Sequence, residues 1–139
     1  MAYCTETDLV TRFGEAEIIQ LTDREAYGEI NASVLERAII DAAAEIDGFL
    51  AGRYTLPLAA VPINLTRIAC DIARYYLYEN AATQIVIDRY AAATRYLELV
   101  AKGSITLGPD ADGDKQTADS GTAVIASDLP VMTAADALW

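Results

Sequence analysis

Two carboxylates of the sequence, Asp41 and Glu45, have the spacing that acid–base chemistry could use. They are four residues apart, which places them on the same face of an α-helix. Such a pair can act as general acid and general base when burial keeps one carboxyl protonated. Arg37 lies four residues before Asp41 and provides an ordinary surface partner. We interpret the pair as solvated and predict that the protein is not an enzyme; a cofactor-free enzyme using Asp41 and Glu45 is the alternative.

The other residue types that carry chemistry are sparse. Histidine is absent, which removes the commonest general base and the usual metal ligand. No phosphate-binding glycine-rich loop and no nucleophile motif is present. The stretch Asp110–Asp114 resembles the start of a calcium loop, but position 12, which needs Glu, is Gly121. We predict no cofactor and no metal.

The two cysteines, Cys4 and Cys70, are far apart in the chain and form no Cys-x-x-Cys motif. This spacing supports neither a zinc site nor a redox motif. Cys70 lies within a helical pattern, and we interpret it as a small core residue. Cys4 is expected in a mobile N-terminal segment.

Composition narrows the class of protein further. The 139 residues are 53% hydrophobic with a net charge of -11, which predicts a folded, acidic protein with a real core. Such a charge argues against a general nucleic-acid binder, because phosphate affinity depends on Lys and Arg. No stretch approaches the roughly 18 apolar residues of a membrane span, so no membrane partner is expected.

Apolar residues recur at steps of three and four along most of the chain, which predicts an all-α bundle of about four to five helices. Thr5 and Gly14 have the types expected at the start and end of a first helix. The predicted helices cover residues 5–14, 15–21, 33–51, 62–80 and 83–102, where Ser33 and Glu36 form a capping box and Pro62 takes the first helical position. A short β-like segment, Ser104 to Gly108, follows.

The composition changes after Gly108, which divides the chain into a helical domain, 1–108, and an acidic linker with a C-terminal arm, 109–139. The linker is small, polar and acidic. The arm is apolar, with a strand candidate at residues 122–126, and it has too few residues for a core of its own. We predict that the arm becomes ordered on a partner through Val124, Ile125, Leu129, Val131, Met132, Leu138 and Trp139.

The stretch after the longest predicted helix has the composition of a corner between two helices. Gly52 ends the helix, and Pro57 favours an extended Leu56. Leu56 and Leu58 are then expected to be buried under the helix pair. The corner comprises Gly52, Arg53, Tyr54, Leu56, Pro57 and Leu58, and Arg53 is expected to lay its stem over it with its charged head in water.

Tyrosine is used far more often than phenylalanine, eight against two. Tyr75, Tyr76 and Tyr78 cannot all face the core, because consecutive residues of a helix point about 100° apart. They are candidates either for contacts between subunits or for packing at the boundary of the core.

Several longer stretches together resemble a known family. The segments "YCTETDLVTRFGEAEIIQLTD", "AEIDGFLAGRYTLPL", "VPINLTRIACDIARYYLY" and "RYAAATRYLELVAKGSITLG" are similar to the Mu-like phage and prophage head–tail connector proteins, long known as a domain of unknown function. The resemblance covers about residues 1–108. The resemblance lies in the whole pattern of the helices and of the corner between them, and it includes no catalytic motif.

This resemblance implies a structural protein of the virion neck, assembled in the host bacterial cytoplasm. Such proteins form a homo-oligomeric ring, usually of twelve copies, that lets DNA pass without specific binding. The implied partners are the portal protein, gripped by C-terminal segments, and a tail-completion or tail-terminator protein. A soluble acidic helical regulator that binds a host protein is the alternative function.

Overall fold

The computed structural model describes residues 2–108, which fold into five α-helices. These are α1 (Glu6–Phe13), α2 (Glu15–Thr22), α3 (Ala32–Leu50), α4 (Ile63–Tyr78) and α5 (Gln84–Lys102), with one 3-10 turn, Glu79–Ala81, after α4. The predicted all-α fold is confirmed. The linker and arm predicted for residues 109–139, with Val124, Trp139 and the other arm residues, lie outside the described part of the chain.

Helix α4 lies at the centre of the bundle. It packs against α3 and α5, which also contact each other, and against α1 and α2. All six residues from Ile68 to Ala73 are buried, so the middle of this helix is covered on every side. Cys70 is fully buried, as predicted for a small core residue.

Arg74 on α4 attaches the first two helices to the bundle. Its guanidinium donates two hydrogen bonds to the Glu17 carboxylate, at 2.8 and 3.2 Å, and lies over the Phe13 ring at 4.2 Å from its centre. The hydroxyl of Tyr78 donates to the same carboxylate. Because charge-assisted bonds of this geometry are stronger than neutral ones, they hold α2 in a defined position.

A single acid, Asp71, is buried in the middle of α4. Burial raises the pKa of its carboxyl, and the nearby guanidinium groups of Arg89 and Arg67 oppose that rise. The Asp71 carboxylate lies 3.6 Å from Arg67 and 4.0 Å from Arg89, whose side chains are more than half exposed. The pairs therefore bring the charge of Asp71 toward solvent and attach α5 to α4.

The helix ends follow the sequence signals in part. Thr5 caps α1 in a capping box with Asp8, and Gly14, at a φ of 95°, ends that helix and begins the next. Thr83 caps α5, and Gly103, in the left-handed conformation, ends it.

Asn31, and not Ser33, caps α3, so the predicted capping box is wrong. The Asn31 side chain accepts hydrogen bonds from the backbone N–H groups of Ser33 and Val34. Its own N–H donates to the hydroxyl of Thr22 at the end of α2. This bond between the two helix ends selects the earlier start and leaves Ser33 exposed in the first turn.

Three other local predictions need correction. Helix α3 ends at Leu50, before Gly52, whose φ is not positive; the N–H groups of Arg53 and Tyr54 both donate to the Leu50 carbonyl. Pro62 is the cap of α4 and precedes its first turn. The segment Ser104–Gly108 forms no strand, because the described residues offer it no strand partner.

The cap assignment can be tested by substitution. We expect Asn31→Ala to lower the free energy of unfolding by about 1 kcal/mol, because two N–H groups lose their acceptor. Ser33→Ala, the matched control, should leave stability unchanged or slightly higher, because alanine favours helix interiors. Urea unfolding followed by circular dichroism measures both. A larger loss in the Ser33 variant would contradict the assignment.

Candidate assembly surface

The corner after α3 is built around Tyr54 and Leu58, which are 8% and 5% exposed. Leu56 is only partly buried, so the predicted full burial is wrong for this residue and right for Leu58. The Leu56–Pro57 peptide bond is cis. The corner thus presents one leucine fully to the core and the other at its edge.

The corner contacts the end of α5. The hydroxyl of Tyr54 accepts a hydrogen bond from the backbone N–H of Leu107 at 3.0 Å, and both residues are buried. The guanidinium of Arg53 lies against Gly103: a Cβ at that glycine would be 2.9 Å from Arg53 Nη1. Gly103 therefore ends α5 in a left-handed conformation and also leaves room for the arginine.

We call this contact the junction; it consists of Arg53, Tyr54, Gly103 and Leu107. It joins two of the stretches that resemble the connector family. It also fixes the position of the chain directly before residue 109. The predicted role of Arg53, lying over the corner with its head in water, is refined: the residue is exposed and its head packs on the end of α5.

A second polar feature links α3, α4 and α5 through Glu45. Its carboxylate accepts hydrogen bonds from the hydroxyls of Tyr76 and Tyr90, the latter at 3.0 Å. The ring of Tyr75 stacks on that of Tyr90, with centres 4.0 Å apart. Burial and the bond to Glu45 raise the pKa of both Tyr76 and Tyr90, so these hydroxyls stay protonated donors.

The three tyrosines predicted at contacts or at the core boundary are all half-buried. Tyr75 stacks, Tyr76 binds Glu45 and Tyr78 binds Glu17, so each has a partner within the chain. For the inner part of each ring, these contacts favour packing at the boundary of the core over contacts between subunits.

Asp41 and Glu45 lie in different surroundings in the folded protein. Glu45 is occupied by two tyrosine hydroxyls, whereas Asp41 is exposed. Asp41 lines a cavity of about 380 Å³ together with Arg24, Arg37 and Glu79. Arg24 and Glu79 form an ion pair across it at 3.0 Å. Residues of both positive and negative charge therefore line the cavity. The cavity does not place a second carboxylate beside Glu45.

Exposed isoleucines are the feature that sequence reasoning missed. Ile40, Ile63 and Ile85 are 57%, 79% and 64% exposed. Ile40 lies outside the buried stripe of α3, while Ile63 and Ile85 are in the first turns of α4 and α5. A signal existed for two of them, because Ile40 directly follows Ile39 and Ile85 directly precedes Val86, which are themselves on the inner faces of α3 and α5. Large apolar side chains on the surface are candidates for contacts with other chains.

Metal and membrane sites can be assessed for the described residues. Residues 2–108 contain no cluster of three or more cysteine, aspartate or glutamate side chains arranged to hold a metal ion. None of their helices has the length and apolar composition needed to cross a membrane. The calcium-like stretch at Asp110 lies outside these residues.

The hydrogen bond at the junction has a direct test. We expect Tyr54→Phe to cost about 1–2 kcal/mol of stability, because the buried N–H of Leu107 loses its acceptor. Hydrogen exchange at that amide, followed by NMR, should become faster. Tyr96→Phe is the control, since its ring is half-buried and its hydroxyl makes no bond among residues 2–108. Unchanged exchange at Leu107 in the Tyr54 variant would show that the bond does not hold this segment.

Comparison with known proteins extends over nearly the whole chain. The family model described as "Bacteriophage Mu, Gp36" matches residues 3–126. The "Mu-like prophage FluMu protein gp36" of Haemophilus influenzae is 32% identical over 137 residues, which are 99% of this chain and 92% of that protein. "Gene product J" of Escherichia phage Mu is 34% identical over 134 residues, 96% of this chain and 95% of that protein. The chain therefore belongs to the Mu gp36 family of Mu-like phage proteins.

Proposed function

We propose that this protein is a structural subunit of the neck of a tailed phage, a head–tail connector that joins the portal to the tail. The junction is the observation that carries the proposal. It holds Leu107 on the helical body two positions before the 31 residues of the linker and arm, 109–139. A rigid body with a fixed departure point for an apolar segment is suited to attachment to a larger assembly.

The composition of that segment supports its role as the attachment arm. Residues 109–139 contain six aspartates and one lysine, and the apolar residues are concentrated after residue 123. A polar linker followed by aliphatic and aromatic residues can reach a partner and then bind it by strand addition or by an aromatic anchor. The portal, or a neighbouring copy in the ring, is the proposed receiver.

The proposed ring needs contacts between copies, and the exposed isoleucines are the residues that we assign to them. Ile63 and Ile85 each leave most of a large apolar side chain in water in the single chain. Their burial between copies would contribute favourably, by about 1.5–3 kcal/mol for each side chain fully buried. The outer edges of the half-buried tyrosines remain further candidates for such contacts.

The acidic surface fits a channel through which DNA passes. Residues 1–108 contain 15 acidic and 9 basic side chains. Part of this excess in the lumen of a ring would repel phosphate and keep DNA from binding during its passage. Ordinary solubility accounts for the same charge, so an image of the assembled ring is needed to decide between the two explanations. A neutral or basic lumen would remove this part of the proposal.

The arm is tested by deletion. We expect removal of residues 116–139 to leave the helical circular dichroism signal nearly unchanged and to abolish attachment to heads that carry the portal. A control with Asp110, Asp112 and Asp114 changed to Asn keeps the apolar segment and should still attach. Truncated protein that joins heads and supports infectious particles would overturn the role of the arm. A full-length protein that stays small by light scattering and ignores portal would favour the regulator.

The ring contacts are tested separately. We expect Ile63→Glu and Ile85→Glu to leave the unfolding free energy within about 0.5 kcal/mol of the wild type, because both positions are exposed. Assembly on portal-bearing heads, measured by sedimentation, should fall at least tenfold. Thr11→Glu adds the same charge at an exposed position of α1 and should assemble normally. Normal assembly of both isoleucine variants would exclude these positions from the interface.

A further inference from the structure

A groove on α3 is lined almost entirely by apolar side chains. It has a volume of about 240 Å³, and its lining consists of Ala2, Ile40, Ala43, Ala44 and Asp47. Ile40, Ala43 and Ala44 are three and four residues apart, which places them on one side of the helix. Because the two alanine side chains are short, another segment can approach the helix closely beside Ile40, which is 57% exposed. We call this feature the α3 groove.

The segment before α1 forms the second wall of the α3 groove. The hydroxyl of Tyr3 donates a hydrogen bond to the carboxylate of Asp47, which holds this segment against α3. Tyr3 and Cys4 are each only 3% exposed and belong to the core. The expectation that Cys4 lies in a mobile N-terminal segment is therefore wrong. The groove lies between two parts of the chain that are fixed to each other.

The α3 groove suits an apolar occupant. Among the described residues that line it, Asp47 is the only charged one. An acidic segment would meet repulsion there and would find no basic side chain with which to pair. The sequence after Gly108 contains an apolar segment as well as the acidic linker: from Val124 onward, seven large apolar side chains stand against two aspartates.

The described chain ends close enough to the α3 groove for the arm to reach it. Leu107 is bonded to Tyr54, whose own N–H donates to the carbonyl of Leu50, the last residue of α3. Ile40 is ten residues before Leu50, which corresponds to about 15 Å along the helix axis. Fifteen residues, 109–123, precede the apolar part of the arm. A random coil of that length has a root-mean-square span of about 20 Å, which is close to the distance required.

We propose that the apolar part of the arm, residues 124–139, docks in the α3 groove of its own subunit before assembly and leaves it on binding its receiver. Docking against Ile40 removes apolar surface from water on both sides of the contact, which is favourable. Because the arm is tethered, its effective concentration at the groove is highest when the span of the linker matches the distance. The docking needs no partner, and only the release rests on the proposed function.

Docking would regulate attachment in the proposed assembly. The groove and the receiver compete for the same apolar side chains of the arm. The apparent affinity for the receiver is therefore reduced by the fraction of subunits whose arm is free. A free subunit keeps its apolar arm covered, and attachment begins only where a receiver binds the arm more tightly than the groove does.

The docking is tested by NMR on the full-length protein with labelled isoleucine methyl groups. We expect nuclear Overhauser contacts between the Ile40 δ1-methyl group and side chains of residues 124–139, and these contacts should not depend on protein concentration. Removal of residues 116–139 should shift the Ile40 methyl signal. The methyl signal of Ile85, which is 64% exposed on α5, is the control and should show neither effect.

A charge in the α3 groove should release the arm. In Ile40→Glu, we expect the signals of residues 124–139 to move to the positions that they take in urea, because docking would bury an unpaired carboxylate. Ile85→Glu introduces the same charge on α5 and should leave those signals unchanged. Both positions are exposed, so both variants should keep the helical circular dichroism of the wild type.

The wild-type contacts decide the matter even if a variant does not fold. A complete lack of contacts between the Ile40 methyl group and residues 124–139 would overturn the proposal. Contacts that arise only between labelled and unlabelled molecules in a mixed sample would also overturn it, because they assign the arm to a neighbouring copy. Docking without head attachment would contradict the connector role alone, and head attachment without docking would contradict this inference alone.

Discussion

Six consecutive buried residues in α4 require a protein surface on every side of that helix, because successive side chains point about 100° apart. Helices α3 and α5 and the pair α1 and α2 provide it. Two of the buried residues are alanines, and Cys70 is also small, which lets the neighbours approach closely. Polar bonds add to this packing: Arg74 with Glu17 attaches α2 to α4, and Asp71 with Arg89 attaches α5 to α4. Glu45 with Tyr76 and Tyr90 attaches α3 to both α4 and α5.

The helices were predictable because burial of one face imposes a spacing of three and four residues that the sequence displays directly. Their ends were less so. Thr5 and Gly103 act locally and were identified, whereas the start of α3 depends on a bond between Asn31 and Thr22 that no local pattern contains. Ser104–Gly108 alternates like a strand, yet none of the residues from 2 to 108 forms a strand with which it could pair. Leu56 and Leu58 have the same type, and only the path of the corner decides which one is buried.

The residue types of the candidate assembly surface were predictable from the sequence, but the contacts between those residues were not. The excess of tyrosines indicated a boundary, but their carboxylate partners are 31 to 61 residues away in sequence. The junction joins Tyr54 to Leu107 across 53 residues, so this contact leaves no periodic trace in the sequence. Exposed isoleucines have the same residue type as core isoleucines, so only their position relative to the apolar face of a helix distinguishes the two.

The junction also sets a limit on distance. Val124 lies seventeen positions after Leu107 in the sequence, and a fully extended chain over that interval spans at most about 60 Å. Because Tyr54 holds Leu107 to the helical body, this radius is measured from a fixed point on the surface of the protein. Any receiver of Val124 and Ile125 must present its binding groove inside that sphere. In the proposed assembly, the length of the linker therefore limits how far the helical body can lie from the point where the arm binds its receiver.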